Sequence, residues 1–124
     1  MKTIIETIPH NLHRYDTVGD YWNADGVNWV VVSDMGDEKM EFLVQLHEFI
    51  EQNLCRFAGI SEQSITDFDI DFEKKRQPGN VDEPGFDSAA PYRRQHTIAT
   101  GIETLLCAEL GIDFNEFGRR VDAL

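Results

Sequence analysis

The stretch DEKMEFLVQLHEFIEQNLCRFAG, from Asp37 to Gly59, decides how the rest of the chain is read. Met40, Leu43, Leu46, Ile50, Leu54 and Phe57 recur in it at steps of three and four, so they share one stripe of an α-helix. Gly59 stands where a glycine commonly closes a helix. The spacing predicts a long amphipathic helix, and every residue on it inherits a direction.

Upstream, Thr3 to Pro9 and Val27 to Ser33 have strand character. Val30, Val31 and Val32 are β-branched and follow Trp29, Asp25-Gly26 supplies a turn before them, and the two strands can pair. Between them His10 to Ala24, which holds His13, Tyr15, Asp16, Asp20, Tyr21 and Trp22, is an irregular or hairpin connection. Downstream, Ser64 to Arg76 fits either period. Phe68, Ile70 and Phe72 alternate with Asp67, Asp69, Asp71 and Glu73 as in a strand, while Ile65, Phe68 and Phe72 form a helical stripe. A capping Ser61 and the basic end Lys74-Lys75-Arg76 favour the helix. Gln77 to Pro91 is a long acidic loop with Pro78, Pro84, Gly85 and Pro91, of a length that suits a functional lid, a binding loop or disorder. Tyr92 to Leu110 is a second long helix closed by Gly111, and Asp113 caps a last short helix whose Phe114, Phe117 and Val121 can pack back on the body. The expectation is one α+β domain over residues 1–124: a short antiparallel β-hairpin or small sheet, then two long helices, one shorter acidic helix and a C-terminal helix.

Composition narrows the function. Eleven Lys and Arg against 23 Asp and Glu give 11 − 23 = −12, which argues against phosphate-backbone binding, so no nucleic acid is expected. The acidity reads either as a solvated surface or as one that occupies a basic partner, in the manner of an inhibitor. No apolar run approaches the ~20 residues needed to cross a bilayer, and Glu6 falls where a secretory signal needs apolar residues, so a cytoplasmic protein without a membrane segment is expected. Cys55 and Cys107 form no C-x-x-C pair and read as buried reduced thiols.

Chemistry concentrates on the first long helix. His47 and Glu51, at i and i+4, project from one face about 5–6 Å apart and can meet at one divalent transition ion, with zinc first and manganese or iron as alternatives. Glu48 is placed to act as a general base on water. A third ligand comes from His96 or Glu103 on the second long helix. These stand about 10 Å apart along its axis, so a mononuclear site uses one of them; His96, next to the loop, is preferred. Ala99 and Thr100 are small enough for close helix approach. The ordinary alternative makes His47 a half-buried histidine bonded to a carbonyl, with Glu48 and Glu51 solvated. Asp67, Asp69, Asp71 and Glu73 read as a solvated acidic face, Arg93 and Arg94 as partners of the acidic loop, and His10 and His13 as surface residues.

The order of a valine-rich strand, a connection and a helix reading Leu46-His47-Glu48-Phe49-Ile50-Glu51 resembles the strand and active-site helix of zincin metallopeptidases. The resemblance covers roughly residues 27 to 57, and Glu51 stands where zincins carry the second histidine of H-E-x-x-H. It implies a metal-dependent hydrolase with Glu48 as base, and the gluzincin habit of taking a glutamate from a later helix keeps Glu103 as a candidate ligand. The wider arrangement, including Ala90-Pro91-Tyr92-Arg93-Arg94-Gln95-His96, is also similar to small uncharacterised phage or prophage proteins.

Overall fold

Three consecutive valines anchor the sheet. In a computed structural model, which describes residues 1–124, β3 (Val27–Ser33) lies between β1 (Lys2–Ile8), parallel to it, and β2 (Gly19–Ala24), antiparallel to it. Val30 and Val32 are fully buried against the helical layer. Asp25 and Gly26, with φ of 52° and 76°, form the two-residue hairpin turn, a conformation that glycine adopts freely and aspartate tolerates. That turn fixes β2 as the antiparallel partner of β3. The segment Thr3 to Pro9 does lie beside Val27 to Ser33, but it takes the remaining edge and runs parallel. Asp20 and Asn23 interrupt any apolar alternation in β2, which is why its strand character was hard to read.

The helix expected after Asp37 is α1 (Glu38–Phe57). Asp37 caps it, its carboxylate accepting from the backbone N–H of Lys39 at 3.0 Å and of Met40 at 3.2 Å. At the other end the N–H of Ile60 bonds the Cys55 carbonyl at 3.0 Å and that of Gly59 bonds Arg56 at 3.2 Å, the paired bonds of a Schellman ending. Met40, Leu43 and Val44 bury one side of α1 in the core with Val30 and Val32, and α3 (Arg93–Leu110) packs alongside it. Ala99 of α3 is fully buried, as close approach requires.

Residues Glu62–Lys75 form a helix, α2, opened by Ser61, whose hydroxyl accepts the Ser64 N–H at 3.2 Å. Ile65 is buried and Phe68 packs on the core while Ile70 is exposed, so the 3.6-residue stripe and not the alternation describes the packing. The C-terminal helix, α4 (Phe114–Asp122), is capped by Asp113 and buries Phe117, with Val121 packed beside it. Phe114 stays exposed. The architecture is α+β, a small sheet followed by four helices. Cys55 and Cys107 are buried free thiols. No helix is long and apolar enough to cross a membrane.

Leu43 has no exposed surface and sits where α1 meets the sheet. Leu43→Ala should lower unfolding stability by about 2–5 kcal/mol in urea titration; a loss below about 1 kcal/mol would show that this contact is not central to the core.

Candidate metal centre

One turn of α1 separates His47 from Glu51, so both side chains leave the same face toward α3, where His96 occupies the first turns. His47 Nε2 lies 3.1 Å from Glu51 Oε2 and 3.1 Å from His96 Nδ1, and His96 Nδ1 lies 2.8 Å from Glu51 Oε2. The three donor atoms thus form a compact triangle among residues that are all buried. A point about 2.0–2.1 Å from each of them exists about 1 Å out of their plane, which is the bond length of zinc to imidazole or carboxylate. The group can hold a metal ion.

Each of these side chains has a partner on its far side. Glu103 Oε2 is 2.6 Å from His47 Nδ1, Glu83 Oε2 is 2.9 Å from His96 Nε2, and the Tyr21 hydroxyl donates to Glu51 Oε1 at 2.8 Å. A carboxylate on the remote ring nitrogen holds a proton there and leaves the other nitrogen for an ion, the arrangement typical of ligating histidines. Of the sequence candidates, His47, Glu51 and His96 therefore come together at one point. Glu103 lies outside that point, on the opposite nitrogen of the His47 ring. His47 is not bonded to a backbone carbonyl, and Glu51 is not solvated.

Glu48 is half-buried and faces Gly19 of β2, where an added Cβ would come within 2.6 Å of its Cγ. Burial, and then the Glu51 charge, push its pKa up to about 8, against the pull of the two imidazoles. Burial also disfavours charge on Glu51, but hydrogen bonds from His47 and His96 outweigh it and hold that carboxyl at about 2. For His96, burial opposes the proton, whereas Glu51 and Glu83 favour it and raise the pKa to about 9. His47 moves in the same direction, as Glu103 and Glu51 overcome its burial.

The long loop packs on this centre. Phe86 meets the His96 ring edge to face at 4.5 Å between centroids, and Gly85 passes so close to that ring that any Cβ would overlap it. Arg76 secures the loop by donating to the carbonyls of Asn80 at 2.6 Å and Asp82 at 2.8 Å while gripping Glu73 with two bonds of 2.8 Å. Arg93 and Arg94, expected in that role, are instead exposed and unpaired, because the start of α3 turns them outward.

Two further expectations are corrected. Asp67 and Asp71 are solvent-facing, but Asp69 is buried and accepts hydrogen bonds from Tyr15, at 3.2 Å, and Tyr92; burial outweighs these phenols and raises its pKa to about 6. His10 and His13 are half-buried, since both rings contact the hydroxyl of the fully buried Ser33, at 2.8 and 2.9 Å. Glu83 and Tyr21 were not foreseen as site residues. The acidic loop was the only trace of the first, and nothing in local spacing points Tyr21 at Glu51. Beside the centre a cleft of about 910 Å³ is lined by His47, Glu48, Glu51, Asp69, His96 and Glu103 among others.

Comparison with family models, with curated proteins and with solved structures finds no match to this chain.

Without a bound ion the imidazoles are held by protons, which fixes the sign of the pH response. His96, raised from 6.5 to about 9, contributes stability that is complete below pH 6.5 and is lost as pH climbs through 9. Glu48, raised from 4.5 to about 8, acts in the same direction between those values. Glu51, held at about 2, matters only in acid, where its contribution disappears as pH falls from 4.5 through 2. The melting temperature of chelator-treated protein, followed by circular dichroism, should fall between pH 6.5 and 9, and a flat profile over that range would contradict the proton-held state.

Proposed function

We propose that this chain is a small zincin-like metal-binding protein acting as a metal-dependent hydrolase, with His47, Glu51 and His96 holding a divalent transition ion and Glu48 serving as general base. The observation that carries this reading is the convergence of three buried donors, each oriented from behind by its own acid or phenol. Purely structural histidines do not require that arrangement. Two imidazoles and one carboxylate make up a donor set of catalytic zinc sites and equally of mononuclear iron(II) sites, so the set fits zinc or iron better than a hard oxygen-seeking ion. Relative to the zincin pattern, the carboxylate and the second imidazole exchange places: Glu51 occupies the i+4 position on α1 and His96 arrives from α3.

An ion held there supplies Lewis acidity toward a polarised bond and a water. The chain's own residues do the remaining work. Glu103 and Glu83 keep the reactive nitrogens of both rings turned to the ion, and Tyr21 fixes the rotamer of Glu51. Glu48 has no hydrogen-bonding partner and opens on the cleft, so its carboxylate is free to take a proton from water and return it to a leaving group. Phe86 and the loop over His96 keep bulk water from one side of the centre.

Metal analysis of untagged protein after loading with zinc or manganese should find about one ion per chain, His47→Ala and His96→Ala should retain less than a tenth of it, and Glu103→Gln should bind about 10–100-fold more weakly. Glu48→Gln should keep the ion yet lose about 10²–10⁴-fold of any hydrolysis of a quenched-fluorescence peptide library. Recovery of no ion from loaded wild-type protein would overturn the metal site; metal binding without hydrolysis of any substrate in the library would remove the support for peptide hydrolysis.

A further inference from the structure

The outer edge of the sheet carries a separate feature. β1 pairs with β3 on one side only, and β3 is the only element it packs against extensively, so its other row of backbone N–H and C=O groups faces outward. Lys2, Thr3, Ile5, Glu6 and Thr7 of this strand are exposed, Ile5 at 39%. Edge strands are ordinarily blunted by charged side chains, a proline, a bulge or a covering loop, and the two charges that β1 carries, Lys2 and Glu6, are of opposite sign. β1 has no proline, and its seven residues match β3 one for one without a bulge.

We propose that β1 is a homodimerisation edge, pairing antiparallel with β1 of a second copy about a two-fold axis at Ile4. The sequence of the strand is self-complementary in that register. Lys2 faces Glu6 of the other copy twice, Thr3 faces Ile5 twice, and Ile4 faces itself. A two-residue slip toward the C-terminal end would set Lys2 against Ile8 and Ile4 against Glu6, leaving both charges without a partner. The opposite slip sets Lys2 against Ile4. Only the Ile4-centred register pairs both charges. A slip by one residue would oppose outward-facing with inward-facing backbone groups and break the hydrogen-bond ladder.

The helix above this edge adds apolar cover. Phe42 of α1, 41% exposed, shares the rim of a shallow groove with Thr7 on the face of β1 that also carries Ile5. Bringing the two edges together joins the sheets into one six-stranded sheet in the order β2-β3-β1-β1-β3-β2. The same step sets Ile5 of each copy beside Thr3 of the other.

Light scattering coupled to gel filtration on the full chain tests this directly. Wild-type protein at about 100 µM should run at twice its 14.2 kDa chain mass. Glu6→Lys, which places two lysines opposite each other in each pair, should shift it to the monomer mass with an unchanged circular dichroism spectrum. The double variant Lys2→Glu, Glu6→Lys should restore the dimer, because the swapped charges pair again in the same register. A wild-type monomer, a dimer indifferent to Glu6→Lys, or a double variant that stays monomeric would each overturn the proposal.

Discussion

A carboxylate buried between two helices can remain ionised only if its surroundings return what water would have supplied, and Glu51 is such a group. Two imidazole nitrogens and one phenol surround it. Those three partners come from α1, α3 and β2, so one charge ties the sheet to both long helices. The chain then repeats the arrangement one layer out: His47 needs Glu103, and His96 needs Glu83. Removing one member of a buried pair of this kind leaves an uncompensated charge, at a cost of about 3–5 kcal/mol, more than the lost hydrogen bond alone.

Much of this was legible in the sequence because helices encode direction locally. The apolar period from Met40 to Phe57 marks α1 as a helix, but its buried face runs through Met40, Leu43, Val44, His47, Glu51 and Cys55 and leaves Phe57 exposed, because α3 packs on the side that carries His47 and Glu51. The i, i+4 spacing does place His47 and Glu51 on one face. Caps at Ser61 and Asp113 marked the openings of α2 and α4, and the hydrogen bonds they accept are present. In α2 the two readings separated at Ile70, which a strand would bury and the helix leaves exposed. The sheet was harder. Its pairing is non-local, and β2 is half polar because Asp20 and Tyr21 serve partners outside the sheet: Arg14 holds Asp20 through two bonds of 2.7 and 2.9 Å, and Tyr21 reaches Glu51.

The misreadings share one physical origin. About 10 Å of helix axis separates His96 from Glu103, which along α3 alone makes them alternatives for one ion. An imidazole, however, has two nitrogens on different sides of its ring, and His47 meets His96 with one and Glu103 with the other. Both belong to the centre, in different shells. The acidic neighbours of Asp69 likewise point it to solvent, yet its position on α2 aims it at Tyr15 and Tyr92, which are 54 and 23 residues away in the chain. Sequence spacing measures distance along one element; it carries no information about which neighbour arrives from another.

The partners behind the donors suit the centre with or without an ion. With protons on the rings, Glu103, Glu83 and Glu51 balance two imidazolium charges; were an ion held between the rings, the carboxylates of Glu103 and Glu83 would keep the remote N–H groups in place. Little needs to rotate between the two. The triangle edges of 2.8 to 3.1 Å are slightly shorter than the roughly 3.3 Å between ligands around a tetrahedral zinc, so the donors would have to move apart by a few tenths of an ångström to hold one. Gly85 and Phe86 lie directly against the His96 ring. On that side His96 has no room to retreat, so the adjustment falls to His47 and Glu51 on α1. Entry of an ion would therefore act mainly by displacing protons from the ring nitrogens that face it.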